Sequence, residues 1–328
     1  MQRKKGTIIL TEASGGEPWL HSKHTGIELL HGPSLHLHHP WPIILLASEQ
    51  LDLSSLDNVR KFAKSINARV ASGSLPPLRA VLINATVWQA NGQKFSPDGS
   101  ELNFAANYLA NFLLILLLLQ SMDKDVGRIV FTSSAAHDPS SWGHGRKSPE
   151  EEQRTFFRNP DELAHPAEDQ PEDEANAGVR RYGMSKMLLI MFMYELQRRL
   201  DSNPQLWNVS LLALDPGTMG GTGLVRSGSL PVRLLMKYMV PPITWIAQIF
   251  QPNGLLRTPY KSGSGLLHAT LDEASIGKHP KALYLDGTAL AQPCAEAQDQ
   301  SKQRRLWDCS LRLARVRKED ALLNDVGV

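Results

Sequence analysis

The amino-acid sequence predicts an α/β protein built on a doubly wound parallel sheet. Apolar runs at residues 7–10, 43–47, 79–83, 128–132, 209–214 and 282–285 are continuous rather than alternating, as strands covered on both faces require. Helical patterns at residues 55–70, 102–122 and 182–200 lie between them. The chain has 328 residues, 42% of them hydrophobic, enough to bury one large core.

Residues 7–10 follow a basic start, from Met1 to Lys5, and are far too few for a signal-peptide core. The helix after Ser55 has a hydroxyl cap available, with Leu56, Val59, Phe62, Ala63 and Ile66 at helical spacing. Residues 112–119 form the most apolar run, shorter than the roughly 20 residues that cross a bilayer. They read as core or as a face for pairing with a second copy. Residues 143–178 break the rhythm: rich in Pro, Glu and Asp, they read as an acidic surface insertion. Residues 229–255 are rich in Met, Leu, Ile, Tyr and Trp, and Pro241-Pro242 argues against a straight spanning helix there. All of this fits one domain over residues 1–328.

The net charge of +2 gives no argument for nucleic acid or an anionic membrane as the main partner. The two cysteines, Cys294 and Cys309, make no disulfide framework, so a reducing cytoplasmic location is expected. His31, His36, His38 and His39 lack the carboxylate or thiol partners of a metal site and read as loop. No metal is expected.

Tyr182 and Lys186 are four residues apart on a helical pattern, hence one turn apart on one face. A free tyrosine has a pKa of about 10, and a neighbouring ammonium favours the phenolate and brings it toward useful acid–base chemistry. That spacing alone also arises by chance on helix surfaces. Its context makes it specific. The strand at 128–132 ends in Ser133-Ser134, either of which can face a site, depending on register. Other strands lead into Asn84-Ala85 and Asp215-Pro216-Gly217-Thr218-Met219, and Asp52-Leu53 follows a further one just before a helix. Ligands of open α/β sheets bind at the carboxyl ends of strands, where these residues fall. Asn107 precedes the leucine-rich stretch and, taken alone, reads as a residue that caps or pairs within its helix.

Together, in this order, these motifs resemble the short-chain dehydrogenase/reductase family, particularly its retinol-dehydrogenase-like and protochlorophyllide-reductase-like members. The resemblance runs from about Gln50 to the C-terminus and includes the late Leu306-Trp307 helix. It implies a Rossmann-type fold and an oxidoreductase using NADP, with NAD not excluded, on a carbonyl compound or its alcohol. In that reading Tyr182 exchanges the proton with the carbonyl oxygen, and Lys186 lowers the tyrosine pKa and holds the nicotinamide ribose. Ser134 polarises the carbonyl, and Asn107 holds a relay water. Asp52 and Leu53 flank the adenine, Asn84 and Ala85 the adenosine ribose, and Pro216, Gly217, Thr218 and Met219 the nicotinamide. Residues 229–255 fall at the family's substrate lid. Their composition suggests a lipophilic substrate and a face able to rest on a membrane. Pairing through residues 112–119 would make a homodimer, as in related proteins.

The pattern fails at the start. Where the family has Thr-Gly-x-x-x-Gly-x-Gly, this chain has Thr11-Glu12-Ala13-Ser14-Gly15-Gly16-Glu17-Pro18. Thr11, Gly15 and Gly16 are the remaining candidates for that cradle. Glu12 sets a carboxylate where a helix N-terminus normally receives an anion. Gly32, Pro33, Pro40 and Pro42 interrupt the helix and strand expected next. Residues 1–50 are therefore an aberrant cofactor-binding region. Two further readings follow: an impaired homologue acting as a partner protein, or a mis-predicted or frameshifted sequence over the first fifty residues.

Overall fold

The computed structural model describes residues 6–13, 25–31, 44–89, 92–141, 157, 159–170, 174–220, 230–251, 253–317 and 320. Its strands are β1 (Thr7–Ala13), β2 (Thr25–His31), β3 (Ile44–Gln50), β4 (Leu78–Ile83), β5 (Arg128–Thr132), β6 (Ser210–Asp215), β7 (Leu283–Asp286) and β8 (Ala289–Leu290). They form one sheet in the order β3-β2-β1-β4-β5-β6-β7-β8. β1, β4, β5, β6 and β7 are parallel, as the continuous apolar runs require.

Alternate residues of these strands serve two cores. Val81, Ile83, Ile129, Phe131, Leu211 and Ala213 face the larger one. There they meet the helices α1 (Leu56–Ala71), α2 (Ala110–Leu118), α4 (Glu174–Asp201) and α8 (Gln300–Leu313). Phe112, Phe131, Phe192 and Trp307 form its aromatic centre, with Phe112 and Phe192 4.9 Å apart. Residues 112–119 are thus core within one chain, not a free pairing face. The stretch from Phe104 to Ser121 is apolar and long enough to cross a bilayer, but 94% of it is buried in the protein.

Ala80, Leu82, Val130, Leu212 and Leu214 face the opposite side, where Ala269 of α7 (Pro259–Leu271) covers them. Arg128, fully buried on β5, donates to the carbonyls of Ala269, Asp272 and Gly277 at 3.1 Å each. It satisfies carbonyls at and beyond the end of α7 that would otherwise lack partners, and so locks that helix to the sheet.

The sheet is mostly parallel, as expected, with antiparallel additions: β2 runs antiparallel to both β1 and β3, and β8 antiparallel to β7. β2 was unforeseen, because the Gly- and Pro-broken pattern after Gly26 masks a short strand. Two other expectations are corrected. α4 begins at Glu174, so Tyr182 lies well inside it rather than opening it. The composition that reads as loop includes residues such as Ala175, Ala177 and Arg180 that a helix accepts readily. Finally, the acidic insertion is not all surface. Phe157, Leu163 and Ala164 are buried in the main core, the last two on the short helix α3 (Pro160–Ala164). Glu101 N donates to Ala164 O at 2.8 Å. Much of the remaining insertion, His36, His38 and His39, and Gly15 and Gly16 lie outside the described residues.

Candidate active site

The carboxyl ends of β1, β4, β5 and β6 lie along one edge of the sheet, and α4 packs against β5 and β6. This brings Tyr182 and Lys186 to Ser134, just past the end of β5. The Ser134 hydroxyl, which accepts from Ala136 N at 3.2 Å, lies close enough to the Tyr182 phenol to lower its pKa, and the Lys186 ammonium lies 5.7 Å from the centre of the tyrosine ring. Register decides between the two serines. Ser133 is buried with its Oγ 3.4 Å from the Lys186 carbonyl, so it braces α4, and Ser134 serves the site.

Burial governs the electrostatics. It pushes the Tyr182 pKa up to about 12, against the lowering influence of the Ser134 hydroxyl, while the nearby Asp215 carboxylate adds to the rise. Burial pushes Lys186 down to about 7, which Asp215 partly offsets. Lys186 donates from Nζ to the Thr132 carbonyl at 2.9 Å. The lysine therefore does not act on the tyrosine as a fixed full charge: near neutrality it is itself poised to gain or lose a proton.

Asn107 sits in a π-helical turn, Phe104–Leu109, that leads into α2. Such turns recur at functional sites. Its amide donates to Val87 O at 2.8 Å and to Ser185 Oγ at 3.0 Å, and its Oδ1 accepts from Val87 N at 2.7 Å. It thus pins the segment after β4 to the turn of α4 that carries Tyr182 and Lys186. Its own carbonyl accepts from Asn111 Nδ2 at 3.0 Å.

A comparison with protein-family models finds no match. A short-chain dehydrogenase of Talaromyces variabilis, iccH, is 39% identical over 294 residues, covering 83% of this chain and 80% of that protein. The chain is a short-chain dehydrogenase/reductase. Retinol dehydrogenase 11 of Homo sapiens is 30% identical over 265 residues, covering 80% of this chain and 67% of that protein. Polyprenol dehydrogenase of Danio rerio is 30% identical over 270 residues, covering 80% and 68%. This dehydrogenase/reductase is accordingly an oxidoreductase, and its Tyr182, Lys186 and Ser134 meet in space as the resemblance implies.

The remaining candidates divide. Thr11 Oγ1 accepts from Asn84 N at 2.9 Å and from Ala85 N at 3.1 Å, joining the ends of β1 and β4. Asn84 Oδ1 accepts from Thr132 Oγ1 at 3.2 Å, joining β4 to β5. Pro216, Gly217, Thr218 and Met219 leave β6 along the 255–257 segment, with Thr218 N donating to Leu255 O at 2.7 Å. Gly217 has φ +77°, and a Cβ there would lie 2.8 Å from the Arg257 side chain. Asp52 Oδ1 accepts from Ser54 N and Oγ at 2.8 and 2.7 Å. Leu53 is buried in the core, so its side chain does not line an open cleft.

A nicotinamide dinucleotide fits one end of this edge. Tyr182, Lys186, Ser134 and the 216–219 segment present hydroxyl, amine and backbone groups there, donors and acceptors of the kind that a nicotinamide and its ribose require. The phosphate end departs from the doubly wound pattern. β2 returns antiparallel beside β1 after residues 14–24, so β1 and β2 are not joined as parallel strands by a right-handed crossover. The first phosphate-cradling helix N-terminus of that pattern is not found among the described residues.

Sequence reasoning missed three participants. Thr132 holds both Lys186 and Asn84, although its strand was recognised. The Trp88 ring lies 6.0 Å from that of Tyr182, one wall of the site. Arg181 is buried beside the tyrosine, pairs with both oxygens of Asp169 at 2.5 and 2.6 Å, and lies 3.3 Å from Glu101. That network ties the insertion to α4. Its only signal in sequence was charge in a helix otherwise turning apolar.

Proposed function

We propose that this chain interconverts a lipophilic carbonyl compound and its alcohol with a nicotinamide dinucleotide, NADP in preference to NAD, within specialised metabolism. The observation that carries the reading is the convergence of Ser134, Tyr182 and the buried Lys186, whose Nζ lies 5.7 Å from the tyrosine ring centre. The dinucleotide, when bound, supplies or accepts the hydride. Tyr182 gives a proton to the carbonyl oxygen, or takes it from the alcohol, while Ser134 holds that oxygen. Lys186, near neutrality in its pKa, can resupply the proton, and Thr132 fixes its amine. Asn107 keeps the two halves of the site in register. Support for a lipophilic substrate comes from the relatives named retinol and polyprenol dehydrogenase and from the apolar 230–250 segment. The preference for NADP follows the tendency of related members.

A second reading is favoured by the antiparallel β2: the chain keeps its catalytic face yet binds the dinucleotide weakly, and serves as a partner protein. Thermal melts with NADPH and with NADH separate the two. A binder must gain about 2.7 kcal/mol when ligand reaches a hundredfold its Kd, and the melting temperature rises with it. No rise with either dinucleotide refutes the enzymatic reading. If the rise occurs, Tyr182→Phe should keep it and lose turnover; retained turnover would remove Tyr182 from the mechanism.

A further inference from the structure

The near balance of charge over the whole chain conceals a local imbalance. From residue 216 to residue 271 there is no Asp or Glu, and there are five Lys or Arg: Arg226, Arg233, Lys237, Arg257 and Lys261. Within this stretch α5 (Leu230–Leu234), the π-helical turn Leu235–Met239 and α6 (Val240–Phe250) carry an unusual load of exposed apolar surface. Leu230 is 64% exposed, Tyr238 61%, Trp245 67%, Ile249 64%, Phe250 80% and the nearby Tyr260 81%. Arg233 and Lys237, both exposed, are one turn apart and lie among them.

We propose that this face seats in the surface of an anionic lipid bilayer. Three features select lipid. Apart from Arg233 and Lys237, which share one face, the side chains of 230–239 are apolar and all but Met236 are exposed, so apolar groups occupy most of the helix circumference rather than one narrow stripe, and an apolar medium covers them better than a groove does. Tyr238, Trp245 and Tyr260 bring aromatic rings with polar tips, which suit the boundary between headgroups and acyl chains. The exposed Arg233 and Lys237, in a segment without Asp or Glu, complement anionic headgroups; Arg257 is buried and paired with Asp286 and takes no part. A second copy suits the face less well, because a two-fold interface would set this basic, acid-free surface against itself. The seat borders the site: a Cβ on Gly220, next to Met219, would lie 2.8 Å from Pro241 and 2.9 Å from Val240 of α6. Lipid would then be the phase from which the substrate enters, a corollary that rests on the function proposed above.

The test is flotation of the full chain, without cofactor or substrate, on vesicles of phosphatidylcholine alone and of phosphatidylcholine mixed with phosphatidylserine. The protein should float with the mixed vesicles, more weakly as salt rises. Arg233→Gln with Lys237→Gln should lower partitioning roughly 30-fold, since each basic residue near such a surface contributes a factor of about five. Trp245→Ser with Phe250→Ser should abolish it; these side chains are exposed, so melting temperatures should stay within a few degrees. Failure to float, or flotation unchanged in both double variants, overturns the proposal. So does a dimer in solution that Trp245→Ser with Phe250→Ser dissociates, without vesicle binding. A chain that floats but never turns over refutes the enzymatic reading and leaves the seat standing.

Discussion

Replacing Lys186 by Met should stabilise the protein at neutral pH while abolishing its turnover. Lys186 is 2% exposed, and burial pushes its pKa from the ordinary 10.5 to about 7. At about 1.4 kcal/mol per pH unit, that difference corresponds to about 5 kcal/mol of destabilisation. The sign follows from proton binding. Because the folded value lies below the unfolded one, the penalty is complete below about pH 7. It declines as pH rises from 7 to 10.5, where the unfolded chain holds the extra proton, and vanishes above. Methionine fills similar space with no charge to desolvate, but leaves the Thr132 carbonyl without its 2.9 Å donor. That loss costs about 1–3 kcal/mol. The variant should therefore gain about 2–4 kcal/mol at pH 6, roughly 3–6 °C in Tm for a chain of this length, and lose the advantage by about pH 9. Melting both proteins across pH 6–9 measures the difference directly, since groups common to the two cancel. A Lys186→Met protein less stable at pH 6, or a difference that does not change with pH, would refute the argument.

Two further outcomes test the scaffold around the site. Gly217→Ala forces a side chain onto φ +77° and against Arg257, and should cost about 1–3 kcal/mol by chemical denaturation, with a weakened response to dinucleotide. Arg181→Met leaves Glu101 buried without its cation and releases Asp169, and should cost about 3–5 kcal/mol; a change below about 1 kcal/mol would show that the network contributes little.

The wrong details of the sequence reading share causes. The average composition of the acidic insertion is polar and points to solvent. Three apolar residues, Phe157, Leu163 and Ala164, suffice to dock part of it, and a composition average hides them. The glycines and prolines after Gly26 interrupt the pattern of a helix and strand. They conceal a strand whose direction depends on which neighbour it pairs with, and pairing is a long-range matter. A net charge of +2 over the whole chain averages away the acid-free 216–271 segment.

Tyr182 and Lys186 share a face because a helix of period 3.6 allows nothing else, and the continuous apolar strands demanded a sheet covered on both sides. The sequence by itself determined those features, since each depends on neighbours a few residues away. It determined the family as well, through the ordered spacing of several motifs. Tertiary structure alone decided that Ser134 and not Ser133 meets Tyr182, that Asn107 joins Val87 to Ser185, and that Lys186 lies buried with a pKa near 7. Each of those depends on register, or on exclusion of water by residues dozens of positions away, and local pattern encodes neither.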